Sequence, residues 1–426
     1  MGITLLVAAD VRLLWVLGVP TDPLDGRFDD TVWYRGAAHF ISIGEGYVNP
    51  YTGTPTAGWP PGYPYFLGGV FAIFGEGALQ TYFANVALSL VVVAGVYALA
   101  HLLFGRGTAV IAGALVAVWP GQVFFMTLTL SEPLFSALFV LAAVAMVLVV
   151  RARRHRFAPV IAFGVLTALA ALTRGQGIIL LPVALVAWGA GGMRWRSVAL
   201  CGALAALAVA AVFTPWVVRN ERLLGSPVLV ATNVGPNMYI GNHEGASGRM
   251  WIDDPRLPQP ENSHELTQPE VEVAADAVAR EMALDYMRAH PEDQPRLIWN
   301  KARALYESDA TGLDWNSTWD EGRYEWQRAE PMLRDVSNGF WFTVLALAGA
   351  GLLTLRRGAL RSPAVALPLI VLAWTATHLL FFGDPRFHYP LAFAFAILAA
   401  RPLALAVEWA AARRSTRAPV EGYAPA

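Results

Sequence analysis

The stretch SEPLFSALFVLAAVAMVLVVRARRHR, residues 131–156, decides how this chain is read. Its middle is a nearly unbroken apolar run of about 20 residues, enough at 1.5 Å per residue to cross a hydrocarbon layer of roughly 30 Å. Ser131 and Glu132 stand at one end, and Arg151, Arg153, Arg154 and Arg156 at the other. An apolar span with polar chemistry at one mouth and arginines at the other is the unit that the rest of the sequence repeats.

Working outward, apolar stretches recur at 3–19, 80–103, 108–119, 130–150, 157–173, 177–190, 197–218, 339–355, 363–382 and 387–405. The chain is 56% hydrophobic and only 15% charged, with a mean hydropathy of +0.45, well above the apolar share of a soluble domain. These features predict an all-α polytopic membrane protein with about ten transmembrane helices. A further apolar stretch, Tyr63 to Phe74, is too short to cross and is expected to be re-entrant or interfacial. The formal net charge of −1 gives no reason to expect a nucleic-acid partner. The single cysteine, Cys201, falls inside an expected span and permits no intramolecular disulfide. No small-residue cleavage site follows the first apolar stretch, which is therefore expected to be retained.

The basic residues set the orientation. Arg106, the 151–156 cluster, Arg194 with Arg196, and Arg356, Arg357 and Arg361 mark every second short loop, and Arg413, Arg414 and Arg417 mark the tail. The intervening short loops carry only Arg174 and Arg386. By the positive-inside rule both termini are cytoplasmic and the other loops lie outside. The expected organisation is a transmembrane module over 1–218 containing a first outer segment (20–79), a second outer segment at 219–338, terminal spans over 339–412, and a disordered cytoplasmic tail at 413–426. Within the second outer segment, Val271, Ala274, Ala275, Val278, Met282, Leu284, Tyr286 and Met287 have the spacing of an amphipathic helix. Asn262 and Ser263 offer it a start. His290 and Pro291 would break it before a second helix at Arg296 to Glu307.

The candidate catalytic groups gather at the outer ends. Asp29 and Asp30 follow the first span. A carboxylate partly shielded from water gains basicity and suits a general base on an acceptor hydroxyl, although an aspartate there also suits a helix cap. Glu132 lies at the bilayer boundary, where an acid is costly and points to function. Its competing role is structural, with Ser131 capping the helix and Pro133 in its first turn. Arg174 and Arg386, with His388 beside the latter, offer cations for phosphate oxygens, against snorkelling or a local pair with Asp384. Arg12 stands inside the first span without a nearby acid. Lys301, His243, His264 and His290 are expected to be surface residues rather than ligands, and no histidine pattern signals a metal.

Taken in order, the motifs resemble the GT-C membrane glycosyltransferases of the family-39 group, which includes protein O-mannosyltransferases and lipid A aminoarabinose transferases. The resemblance runs end to end. It rests on Asp30-x-x-x-Tyr34, Gly44-x-Gly46-Tyr47, Pro60-Pro61-Gly62-Tyr63-Pro64 and Leu130-Ser131-Glu132-Pro133-Leu134-Phe135. It continues through Leu172-Thr173-Arg174, Pro215-Trp216-x-x-Arg219-Asn220, Gly235-x-Asn237-x-x-x-Gly241-Asn242, Tyr286 with His290-Pro291, Lys301 and Gly383-Asp384-Pro385-Arg386-Phe387.

The resemblance implies an inverting transfer of a sugar from a polyprenyl-phosphate donor to an acceptor hydroxyl outside the membrane. Asp30 would be the base with Asp29 second to it, and Glu132 would organise the acceptor. Arg174, Arg386 and His388 would hold the leaving lipid phosphate, with Tyr34, Tyr63 and Lys301 as further substrate contacts. No cofactor is expected, and the cations would stand in for a divalent metal. Expected partners are the lipid-linked sugar, membrane lipid and a glycan, lipid or protein acceptor, at the plasma membrane of a bacterium. The chain departs from the group in its short first span, its modest second outer segment and the lack of an inserted extra domain, so the sugar and acceptor stay open. A glycan polymerase or ligase shares the outer-face chemistry but usually lacks the Asp-x-x-x-Tyr and Pro-Pro-Gly-Tyr-Pro combination. A flippase or transporter would show inverted repeats and paired broken helices.

Overall fold

The computed structural model describes residues 1–19, 30–152, 156–250, 257–261, 263–317, 328–355, 358 and 361–415. Asp29, Asn262, Arg153, Arg154, Arg356, Arg357 and Arg417 lie outside the described residues. No strand forms among those described, whose extended pairings are two isolated bridges.

Each expected span coincides with a helix. These are α1 (Gly2–Gly18), α4 (Ala78–Phe104), α5 (Arg106–Ala117), α7 (Glu132–Arg151), α8 (Phe157–Thr173), α9 (Leu180–Ala190) and α10 (Trp195–Leu224), then α15 (Glu330–Thr354), α16 (Ala366–Leu380) and α17 (Ala392–Ser415). Among the described residues, six helical stretches are long and apolar enough to cross a membrane unaided, and a seventh forms if the bent pair Arg106–Ala117 and Pro120–Thr127 counts as one span. Between the spans stand α2 (Asp30–Ser42), α3 (Gly62–Phe74) and the short α6 (Pro120–Phe124). The 13 residues of α3 agree with a segment too short to cross.

Packing places α7 and α17 at the centre, with about seven-tenths of each apolar window buried, and α10 at the margin with 17%. Helix α7 touches α4 and α8, α8 touches α10, and α17 touches α5 and α15. Two glycines set the closest crossings. A Cβ on Gly164 would lie 2.7 Å from the Ala205 carbonyl oxygen of α10, and one on Gly351 would lie 2.0 Å from that of Leu398 in α17. Small residues let these backbones approach, which is how apolar helices gain packing energy where lipid offers no hydrophobic drive.

Arg12 has a structural assignment. Its buried guanidinium donates to Ala117 O at 2.7 Å and Val116 O at 3.0 Å, and Nε donates to Ser89 Oγ at 2.6 Å. It bonds carbonyls at the C-terminal end of helix α5, just before the 50° bend that leads into Pro120. A side chain 105 positions away supplies what the local sequence lacks.

The described part of the 219–338 segment folds as α11 (Val234–Ile240), α12 (Gln268–Ala289), α13 (Gln294–Tyr306) and α14 (Thr311–Ser317). Helix α12 starts later than expected, because Thr267 and Glu270 form a reciprocal capping box. It stops at His290, and α13 begins two residues before Arg296. Lys301 is 1% exposed, which corrects its placement at the surface. The tail is also helical further than expected, since α17 runs to Ser415.

The polar groups segregate as expected. Glu132 opens α7 and Arg151 closes it. Arg174 follows the end of α8 and Arg156 precedes its start. Arg386 precedes α17 and Arg413 lies near its end. Acids and arginines of interest therefore share one end of the bundle.

Candidate active site

Asp30 is the first residue of α2, and its carboxylate turns to distant partners. Arg386 Nη1 lies 2.7 Å from Asp30 Oδ2, and Trp59 Nε1 donates to Oδ1 at 3.3 Å. Trp59 is fixed by stacking on Trp33, at 4.1 Å between ring centroids and 27° between planes. Arg386 comes from a tight 3-10 turn, Pro385–Leu391, whose cap is Asp384: the Asp384 carboxylate accepts from the Arg386 backbone N at 2.9 Å. The guanidinium lies 5.2 Å from the Trp315 ring and 5.3 Å from the Phe387 ring. The expected local pair with Asp384 is secondary, at 4.0 Å.

Glu132 and Arg174 form the second pair, with Oε1 to Nη1 at 2.8 Å. Arg174 ends α8 in an extended conformation, φ −150° and ψ 120°. Ser131 occupies the cap position of α7 but makes no side-chain cap bond. Its hydroxyl instead accepts from Arg174 Nη1 at 3.2 Å and Tyr34 OH at 3.4 Å. Tyr34 meets Tyr63 edge to face at 5.0 Å. Burial, with Asp30 adding to it, pushes the Tyr34 phenol above its ordinary range, so it stays a donor at physiological pH. The Phe387 ring lies 5.3 Å from the Arg174 guanidinium and the same distance from that of Arg386. One phenyl ring thus joins the two ion pairs.

Capacity remains at this cluster. Glu132 Oε2, Tyr63 OH, Arg174 Nε and Arg386 Nε are buried without hydrogen-bond partners. Each such group costs about 1–3 kcal/mol when left unmet. The set holds donors and an anionic acceptor, suited to substrate hydroxyl and phosphate oxygens.

Two of the expected contacts sit elsewhere. His388 is buried and both ring nitrogens are engaged, Nδ1 with Leu305 O at 3.0 Å and Nε2 with Asp309 Oδ1 at 2.9 Å. Its ring stacks on Trp341 at 4.2 Å, and Trp119 Nε1 donates to Asp309 Oδ2 at 2.8 Å. His388 therefore ties the 219–338 segment to the bundle. Lys301 Nζ is engaged with Asn242 Oδ1 and Leu379 O. Asp29 lies outside the described residues.

Sequence reasoning passed over Trp59 as a site residue, Trp315, Phe387 and His378. No local signal marks Trp315. His378 did carry one, an ionisable group within a span. It is 1% exposed, its ring is 4.8 Å from Phe387, and its Nε2 has no partner. Among the described residues no three of His, Cys, Asp and Glu gather where they would hold a metal ion.

The family model for dolichyl-phosphate-mannose-protein mannosyltransferases matches residues 59–218, which include Trp59, Tyr63, Glu132 and Arg174. The oligosaccharyltransferase of Archaeoglobus fulgidus, solved in complex with Zn and sulfate, superposes with a TM-score of 0.59 at 15% identity, over 97% of this chain and 50% of that one. The chain has the GT-C fold. A second structure of the archaeal oligosaccharyltransferase AglB, with an inhibitory peptide and a dolichol-phosphate, superposes on this GT-C chain at a TM-score of 0.54 and 16% identity, over 99% and 52% of the two chains. The GT-C chain thus spans about half the length of these solved structures. An ArnT structure from Cupriavidus metallidurans bound to undecaprenyl phosphate has a TM-score of 0.43 at 16% identity, over 99% and 81%. No curated protein sequence matches the chain.

Proposed function

We propose that the protein transfers a sugar from a polyprenyl-phosphate donor to an acceptor hydroxyl on the extracytoplasmic face of a bacterial plasma membrane, with inversion. The observation that carries this reading is the contact of Asp30 with Arg386, 2.7 Å, next to the pair Glu132–Arg174. A base for a hydroxyl and cations for a phosphate stand together, at the end of the bundle opposite the arginine-rich loops.

In this mechanism Arg386 holds the Asp30 carboxylate in place before substrate arrives. The donor phosphate takes up the guanidinium, and a carboxylate oxygen is released toward the acceptor. Asp30 removes the acceptor proton while the acceptor oxygen forms its bond to the anomeric carbon. The bond from that carbon to the phosphate oxygen breaks, and the electron pair leaves on the lipid phosphate. Arg386 and Arg174 stabilise that charge, with unmet donors preorganised where it develops. Glu132 Oε2, Tyr63 and Tyr34 orient the hydroxyls. The arginines supply the positive charge that a metal ion would otherwise provide.

The test uses full-length protein in lipid nanodiscs with mannosyl-phosphoryl-undecaprenol as donor probe and envelope extract from a deletion strain as acceptor source. Transfer that disappears in Asp30→Asn, with the protein folded, supports the reading. Full transfer by Asp30→Asn overturns the base, and no transfer by the wild type from any of a panel of hexosyl and pentosyl lipid phosphates overturns the donor class. Glycan analysis of the same strain identifies the acceptor.

A further inference from the structure

Lys301 is a buried cation whose partners are both neutral oxygens. Its Nζ donates to Asn242 Oδ1 at 2.7 Å and to Leu379 O at 3.2 Å. Leu379 belongs to the last turn of α16, where carbonyls have no intrahelical partner and a cation is favoured. Asn242 completes the same cap, since its Nδ2 donates to Leu380 O at 2.9 Å and Met238 O at 2.8 Å. The ammonium and the amide thus hold the end of α16 together.

The turn that bears Arg386 comes directly after that helix end. Three backbone segments meet there without spare room. Gly383 N donates to Gly248 O at 2.9 Å, and a Cβ on Gly383 would lie 2.3 Å from Lys301 O. A Cβ on Gly241 would lie 1.8 Å from Phe381 O. Residues 246–248 are held in turn by α13, through Asn300 Nδ2 to Ser247 O at 2.9 Å and Arg296 Nη1 to Ala246 O at 3.3 Å. One face of α13 therefore clamps the strap and the helix end between which the Gly383-Asp384-Pro385-Arg386 turn emerges.

We propose that Lys301 is a positioning residue for Arg386: from the outer segment it fixes the helix end and turn that aim the guanidinium, so lipid-phosphate affinity depends on a lysine that does not touch the lipid. The inference rests on the reading of Arg386 as the phosphate ligand. Its physical basis is that a guanidinium contact loses most of its value when its anchor shifts by about an ångström.

The experiment measures binding of undecaprenyl phosphate to the full-length protein in nanodiscs, for wild type, Lys301→Met, Asn242→Ala, Arg386→Ala and the double variant Lys301→Met/Arg386→Ala. Amide exchange at residues 383–387 is followed in parallel. Lys301→Met and Asn242→Ala are each expected to weaken binding by about tenfold and to speed exchange at the turn. In the Arg386→Ala background Lys301→Met should cost nothing further, the signature of residues that act as one unit. An equal loss in both backgrounds would overturn the proposal in favour of direct contact, and unchanged binding in both single variants would overturn it outright. If the wild type binds no undecaprenyl phosphate, the phosphate reading of Arg386 fails. Exchange at 383–387 then decides the clamp separately, and rates equal to wild type in Lys301→Met and Asn242→Ala sink it.

Discussion

Asp30 and Arg386 stand 356 positions apart in the chain and meet at 2.7 Å. One comes from the start of α2 and the other from the turn before the last helix. The contact closes the candidate site and also restrains it, because Arg386 occupies the carboxylate oxygen Oδ2. A phosphate that competes for Arg386 would supply both the leaving group and the release of the base.

Asp30→Ala should therefore have opposite effects on binding and turnover. Undecaprenyl phosphate should bind several-fold more tightly, because Arg386 loses its internal anion, while sugar transfer falls by about 10²–10⁴. Titration of the lipid phosphate against both proteins checks the first part, and weaker binding by Asp30→Ala would contradict the exchange.

Glu132 and Arg174 have side chains 1% and 13% exposed. Removing one charge from such a pair leaves the other buried alone, at a cost of about 3–5 kcal/mol. Glu132→Gln should lower the thermal midpoint in detergent markedly, and Glu132→Leu/Arg174→Leu should recover part of the loss without recovering activity. A midpoint unchanged in Glu132→Gln would show the pair to be well solvated.

Arg12→Leu should destabilise the bundle by at least about 2 kcal/mol, since it strips charge-assisted bonds from the open end of α5. Limited proteolysis near the bend at residues 117–120 reads the local effect. Arg12→Lys reaches fewer carbonyls and is expected to restore only part of the stability.

Burial lowers the Lys301 ammonium from an ordinary value near 10.5 to about 8. Between those values the unfolded chain holds a proton that the folded chain has lost, so stability rises with pH across that window. The cost of burying the charge is full below about pH 8 and gone above about 10.5. A neutral amine still donates two N–H groups to its two acceptors, so the clamp survives the titration. The thermal midpoint of wild type minus that of Lys301→Met should increase between pH 7.5 and 10, and a decrease would contradict the sign.

Sidedness is checked with Cys201→Ala as background. Glu292→Cys, at an exposed position of the second outer segment, should react with an impermeant maleimide on intact cells. Arg194→Cys, exposed in an arginine-marked loop, should react only after permeabilisation. The reverse pattern would invert the site.

The helices were legible because lipid imposes one rule: backbone groups must be satisfied within the segment, so runs of apolar residues become helices with few alternatives. All ten expected spans coincide with helices. Glu132, Arg174, Asp30 and Arg386 were legible as site candidates because ionisable groups at a membrane boundary are costly enough to require a reason. The capping box at Thr267 and Glu270 was also present in the sequence, three residues apart, and Asn262 and Ser263 drew attention away from it.

The partnerships were not legible. The expected division set acids toward an acceptor and arginines toward a phosphate, whereas the fold pairs each acid with an arginine. His388 and Lys301 looked like ligands by resemblance, and both are turned inward to hold the outer segment. By itself the sequence determined the helical membrane architecture and the end of the bundle at which the candidate acids and arginines gather, since hydrophobic length and charge placement are local properties. Only the tertiary structure decided which charges neutralise one another, that Trp59, Trp315 and Phe387 wall them, and which cations remain available. Those outcomes depend on contacts between residues up to 356 positions apart, and no local pattern encodes the geometry that brings them within hydrogen-bonding reach.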